Sequence, residues 1–146
     1  MEFKENNEIN EFRCITAKRF HSINGISAED IEDEIRTFAE EILLENEIEA
    51  QVGEAVVYGS RARGLETSAS DIDVVIEIDS DIKEDSLFNI LNEEEYTIEG
   101  IKVDINPIRK EESGTLSEYL KRAEKYLAEK EKITKINKTD VDFDNR

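Results

Sequence analysis

Asp71-Ile72-Asp73 places two carboxylates two residues apart at the start of an apolar run, Asp71 to Ile78. On an extended strand, residues two apart point to the same face. Two carboxylates on one face repel, and without a cation one pKa has to rise. A divalent ion removes that conflict, and Mg²⁺ takes carboxylate, water and phosphate oxygens. A third acid, Asp104, lies between Val103 and Ile105 in a later apolar run, predicted to be a neighbouring strand. Three such carboxylates can hold two metal ions roughly 4 Å apart, one activating an attacking oxygen and the other gripping a triphosphate and its leaving pyrophosphate.

Val57-Tyr58-Gly59-Ser60 precedes Asp71 by ten residues. Glycine lets the backbone approach an anion closely and tolerates positive φ. Ser60 adds a hydroxyl, and a helix starting there would turn its first N–H groups toward phosphates. Arg61 and Arg63 lie in the same loop, within reach of phosphate oxygens. Taken singly, each feature is commonly structural: Gly-Ser after a strand is often a turn, and Asp-x-Asp is often a solvated strand end. Their order, with every acid on a predicted strand end, points to phosphate chemistry. No Cys-x-x-Cys, Walker A loop or Ser–His pair competes with it. His21, the only histidine, is isolated, and Cys14, the only cysteine, reads as an inert side chain.

These residues need elements to position them. Ser27 and Asp30 form a capping-box pattern, and Ile31, Ile35, Phe38 and Ile42 recur at helical spacing, which predicts a helix from Ser27 to about Glu45. Ala55 to Tyr58 and Asp71 to Ile78 read as strands, the second buried on both faces at Val74-Val75-Ile76. Gly59 to Ser70 reads as a loop or short helix, and Ser86 to Leu91 as a short helix. Tyr96 to Ile98 and Ile101 to Ile105 form a bent strand or a tight hairpin, closed by Pro107. Thr115 and Glu118 open a last helix, with Leu116, Leu120, Ala123 and Leu127 on one face and Tyr119 and Tyr126 near it. The order predicts an α/β (α+β) fold, a small mixed β-sheet flanked by helices. Residues 1–26 read as a loose N-terminal arm or short extra element, 27–130 as the domain and 131–146 as a polar tail.

At 146 residues the chain has the length of one domain. The net charge of −18 argues against general nucleic-acid binding and against docking on anionic membranes, and suits metal ions or a basic partner. Residues 121–138 run against this trend, with seven Lys or Arg and three Glu, and read as a solvated helix face followed by tail. A single cysteine fits a reducing cytoplasm, and neither a signal peptide nor a membrane span is expected.

Gly59-Ser60, ten residues, Asp71-x-Asp73 and the later Asp104 resemble the signature of the nucleotidyltransferase superfamily related to DNA polymerase beta, and within it the minimal nucleotidyltransferases, small domains often paired with HEPN-type ribonuclease toxins. The resemblance spans about Val52 to Pro107. It implies Asp71, Asp73 and Asp104 as metal ligands and catalytic residues, Asp104 helping to deprotonate the acceptor, and Gly59 and Ser60 holding the triphosphate. It implies two Mg²⁺ ions, an NTP such as ATP, and an antitoxin that places AMP on a protein hydroxyl of its toxin. Transfer to a small molecule or an RNA end, and a silent binding module of the same fold, remain the alternatives.

Overall fold

The computed structural model describes residues 2–129. Its elements are α1 (Glu2–Arg19), α2 (Ala28–Glu45), β1 (Gln51–Tyr58), α3 (Gly59–Ala62), β2 (Ile72–Asp79), α4 (Glu84–Leu91), β3 (Tyr96–Ile98), β4 (Ile101–Ile108) and α5 (Lys110–Ser113). A last helix, α6, is described over 116–129. The predicted tail, 131–146, and the part of the basic stretch beyond 129 lie outside the described residues. The strands form one mixed sheet in the order β1-β2-β4-β3. β1 runs antiparallel to β2, β2 parallel to β4, and β3 antiparallel to β4. This is the small mixed sheet flanked by helices that the order of elements predicts.

Local chemistry sets the helix starts. Ser27 Oγ accepts the Asp30 N–H at 3.1 Å while the Asp30 carboxylate accepts the Ser27 N–H at 3.0 Å. Two of the donors orphaned at a helix start are satisfied reciprocally. The same box opens α6, where Glu118 accepts the Thr115 N–H at 3.0 Å and Thr115 Oγ1 accepts the Glu118 N–H at 3.2 Å. Between β3 and β4, Glu99 and Gly100 both take positive φ, 51° and 79°. Such a pair matches the twist of a tight hairpin and settles the choice against a bent strand.

The sheet separates two apolar layers. On one face Ala55, Val57, Val74, Ile76, Val103 and Ile105 pack with Ile31, Ile35, Ala39 and Leu43 of α2 and Leu87 and Leu91 of α4. On the other, Val56, Val75 and Ile108 pack with Ile9 of α1 and Leu116 and Leu120 of α6. Val74-Val75-Ile76 is therefore buried on both sides, as a continuously apolar strand requires.

Two expectations are corrected. Residues 2–19, expected as a loose arm or short extra element, form an eighteen-residue helix. Its inward side includes Ile9 and Phe12 but also the buried Thr16 and the ion-paired Arg13. A face that mixes polarity in this way leaves no clear apolar period. Pro107, expected to close its strand, lies within β4 and pairs in register with Ile76. The N–H of Ile105 points away from β2, to Asn92 Oδ1 at 3.1 Å. Backbone direction alternates along a strand, so position 107 also faces that outer side, and β3 pairs only as far as Val103. A missing donor costs no ladder bond there.

Side chains meet the backbone on the outer side of β1 and on β4 beyond the end of β3. Asn92 accepts from the Ile105 N–H and donates to the Ile105 carbonyl at 2.8 Å. On β1, Val57 N–H donates to Glu32 Oε2 at 2.9 Å and the Ala55 carbonyl accepts from Arg13 Nη2 at 2.7 Å. Arg13 Nε completes the link to Glu32 Oε1 at 3.1 Å.

Glu32 is buried, and loss of water raises its pKa to about 7, outweighing the Val57 N–H and Arg13, which both favour the charged form. A carboxyl raised above its unfolded value of 4.5 contributes stability that is present below that value and is lost as pH rises through the folded one. Glu32→Gln does not titrate. In urea unfolding between pH 4 and 8 it should therefore gain on the wild type from about 4.5 to about 7, by on the order of 2 kcal/mol, with the gap constant above. A gap flat across the whole range would show that Arg13 and Val57 fully offset the burial.

Candidate active site

Antiparallel pairing sets Tyr58 opposite Asp73, and parallel pairing sets Asp73 opposite Asp104. Side chains of register partners leave the same face, so Tyr58, Asp73 and Asp104 form a row across β1, β2 and β4. Asp71, two residues before Asp73 and just ahead of β2, shares that side. All three aspartates are half-buried. The row is the polar end of the face whose remainder is the Val56, Val75 and Ile108 layer under α1 and α6.

Burial raises the Asp73 carboxyl to about 6, and the negative charges of Asp104 and then Asp71 push it the same way. Every influence acting on Asp73 disfavours its charge. Among the described residues, no three acidic, His or Cys side chains are gathered tightly enough to hold a metal ion. The aspartates are an open set whose like charges interact. Oxygen-only donors with unrelieved negative charge fit a hard divalent cation, which would remove the repulsion.

β1 ends at Tyr58 and the chain turns at Gly59, with φ +82°. A Cβ on Gly59 would lie 2.5 Å from Asp73 Oδ2. Both the backbone conformation and the carboxylate therefore demand glycine. Ser60 follows, half-buried, in the four-residue helix α3. The loop is tied down at several points. Arg61 is buried, and its Nε and Nη2 donate to the Ser70 carbonyl at 3.1 and 2.9 Å, which fixes the residue before Asp71. Arg63 pairs with Glu124 of α6. Gly64, φ +69°, leaves room for the Arg19 carbonyl at the end of α1, which would lie 2.5 Å from a Cβ. His21 Nδ1 lies 2.7 Å from Glu66 Oε2.

The structure thus brings together Gly59, Asp71, Asp73 and Asp104 from three separate stretches, with Ser60 beside them. Arg61 and Arg63 lie on the same loop but are engaged with protein partners. A polar group on this face that sequence reading passed over consists of Tyr58, Tyr119 and Asn106. Asn106 Nδ2 donates to Tyr119 Oη at 2.5 Å and to Tyr58 Oη at 3.4 Å, and the two phenol oxygens are 3.2 Å apart. The available signal was the position of Asn106, two residues past Asp104 and so on its face, and of Tyr58, directly before Gly59. A cleft of about 320 Å³ opens at the opposite end of the sheet, lined by Gln51, Glu77, Ile108 and Thr115, away from the aspartates.

Two outcomes follow from this geometry. Gly100 also takes positive φ but has nothing within 4 Å of an added Cβ, so Gly100→Ala should cost only its backbone strain, about 1 kcal/mol. Gly59→Ala must also displace Asp73, and thermal unfolding should show a clearly larger loss; equal losses would mean that the carboxylate moves freely. Asp73→Asn removes a half-buried charge held beside like charges. In chelator at neutral pH it should stabilise the fold by about 1 kcal/mol, after allowance for solvent screening. A destabilised variant would show that Asp73 supports the fold in its charged form.

The nucleotidyltransferase domain family matches the chain over residues 34–143. No curated protein and no solved structure matches it. Among the described residues, no helix is long and apolar enough to cross a membrane. The family match covers about three quarters of the sequence and includes every aspartate of the row and the Gly59-Ser60 turn. With its mixed sheet and its open set of carboxylates beside a glycine turn, the chain belongs to the nucleotidyltransferase domain family.

Proposed function

We propose that the chain transfers a nucleotide, AMP from ATP, to a hydroxyl of a protein partner, using Asp71, Asp73 and Asp104 to hold two Mg²⁺ ions. The observation that carries this reading is the register of Asp73 with Asp104 beside Gly59. Bound divalent ions would supply charge neutralisation for the triphosphate and the attacking oxygen.

The chain's own groups do the rest. Gly59, without a side chain, lets the triphosphate approach the backbone, and Ser60 offers a hydroxyl to a phosphate oxygen. Arg61 keeps the loop in place through Ser70, and Arg63 brings a second guanidinium to it. Asp104 takes the proton from the acceptor hydroxyl as the new O–P bond forms at the α-phosphate and the bond to pyrophosphate breaks. We assign this work to the 27–130 unit, operating in the cytoplasm. The strong negative charge suits a basic acceptor protein. A HEPN-type toxin, silenced by the transfer, is the partner we propose on the family resemblance.

The test is incubation with each α-³²P-labelled NTP and Mg²⁺, alone and with lysate of the source cell, beside the Asp71→Asn/Asp73→Asn double variant. We expect a labelled protein band with ATP that needs the metal and both aspartates, at least about 100-fold above the variant. A folded wild type that labels nothing with any NTP would refute the enzymatic reading, and label on a small molecule or RNA would refute the protein acceptor.

A further inference from the structure

The face of the sheet away from the aspartate row carries a groove of about 510 Å³ between α2 and the start of β3. Half-buried Phe38 and Tyr96 supply its aromatic surface, their ring centroids 4.5 Å apart and tilted by 45°, packed against the core under α2. Exposed Asp33, Glu34, Thr37 and Glu41 of α2 line the rest. Glu34, Phe38 and Glu41 follow one another at helical spacing, so the two carboxylates flank the ring along one stripe. Burial pushes the Tyr96 hydroxyl up to about 12, and Glu34 and Glu41 act in the same direction, so both acids also stand near the phenol. Among the described residues, no lysine or arginine lines this groove. Helix α2 carries eight acidic residues against one arginine. Glu29 with Asp33, Asp30 with Glu34 and Glu41 with Glu45 are like charges four residues apart, each of which works against the helix. Exposed Glu93, Glu94 and Glu95 extend the negative rim up to Tyr96.

We propose that this groove docks a basic segment of a partner protein, laying an arginine side chain across Phe38 and Tyr96 with its guanidinium between Glu34 and Glu41. Aromatic rings alone would accept any apolar group, but a neutral one would strip water from the acids around them and leave those charges unpaired. A simple cation would meet the acids and leave the rings unused. Arginine meets both demands: its planar head stacks on a ring, its stem covers apolar surface, and its N–H groups reach carboxylates. Because groove and aspartate row lie on opposite faces of the sheet, a partner held here leaves the row uncovered. The inference deepens the protein-acceptor reading above and rests on it only for what the docking serves.

The experiment titrates the isotope-labelled full chain, without NTP or metal, with an acetylated peptide of alternating arginine and alanine, followed by NMR at physiological ionic strength. Resonance shifts should concentrate at Phe38 and Tyr96. Phe38→Leu keeps an apolar side chain and should weaken binding about 3-fold. Glu34→Gln/Glu41→Gln should weaken it about 5-fold, and this pair carries the test if Phe38→Leu does not fold. Glu45→Gln/Glu47→Gln makes the same change of charge outside the groove and should leave the affinity little altered. Equal losses from the two pairs, or shifts spread evenly over the acids, mark general charge attraction and overturn the inference. So do shifts of Phe38 and Tyr96 driven by salt alone with no response to the peptide, which would put the chain's own lysines beyond 129 in the groove. A chain that binds the peptide here but labels no protein with any NTP keeps the docking surface and loses the acceptor reading; one that labels a protein yet ignores the peptide loses the docking surface alone.

Discussion

The parallel pairing of β2 with β4 is the constraint on which the site depends. A parallel neighbour needs a long crossover, here provided by α4 and the β3 hairpin arm between β2 and β4. Once that crossover places Val74 opposite Ile105 and Ile72 opposite Val103, Asp73 has to lie opposite Asp104. A slip of one residue would turn Asp104 into the α2 layer and set Ile105 in its place. The apolar packing of one face thus holds the acids in register on the other. Core and site are one interaction read from two sides.

The site also carries an internal opposition. Folding desolvates Asp73 and brings two like charges toward it, while Gly59 accepts a conformation closed to most side chains. Neither choice favours the folded chain in isolation. Charge set against the fold in this way is the pattern that computed electrostatics commonly finds at functional sites. The surrounding structure supplies the rigidity: Arg61 on the Ser70 carbonyl, the end of α1 against Gly64, and α6 across the face.

Much of this was legible in the sequence, and the residues show why. Ser27 with Asp30, and Thr115 with Glu118, announced their helices because a capping box is local chemistry. Val74-Val75-Ile76 announced a strand covered on both faces because apolar runs of that length have few other uses. The aspartates were visible because a period of two on a strand leaves carboxylates on one face. Helix α1 was not legible, since its inward side mixes Ile9 and Phe12 with the buried Thr16 and with Arg13, whose partners lie far along the chain. Pro107 misled because proline's missing donor matters only on a paired edge, and which edge it faces is a property of the sheet. Glu32 leaves no local mark in the sequence, because its contact with Val57 belongs to the tertiary fold.

The edge closures have a consequence for how molecules of this chain behave toward one another. An open strand edge is a template for the next chain, and stacked edges grow into fibrils. β1 and β4 are rich in valine and isoleucine, the composition that such growth favours. Here the backbone groups of Val57 and Ala55 that face away from β2 are matched by Glu32 and Arg13, and those of Ile105 by Asn92. A second molecule that arrives edge-on meets side chains already in the positions its own backbone would need. At these positions the backbone is matched without a further strand to cover it.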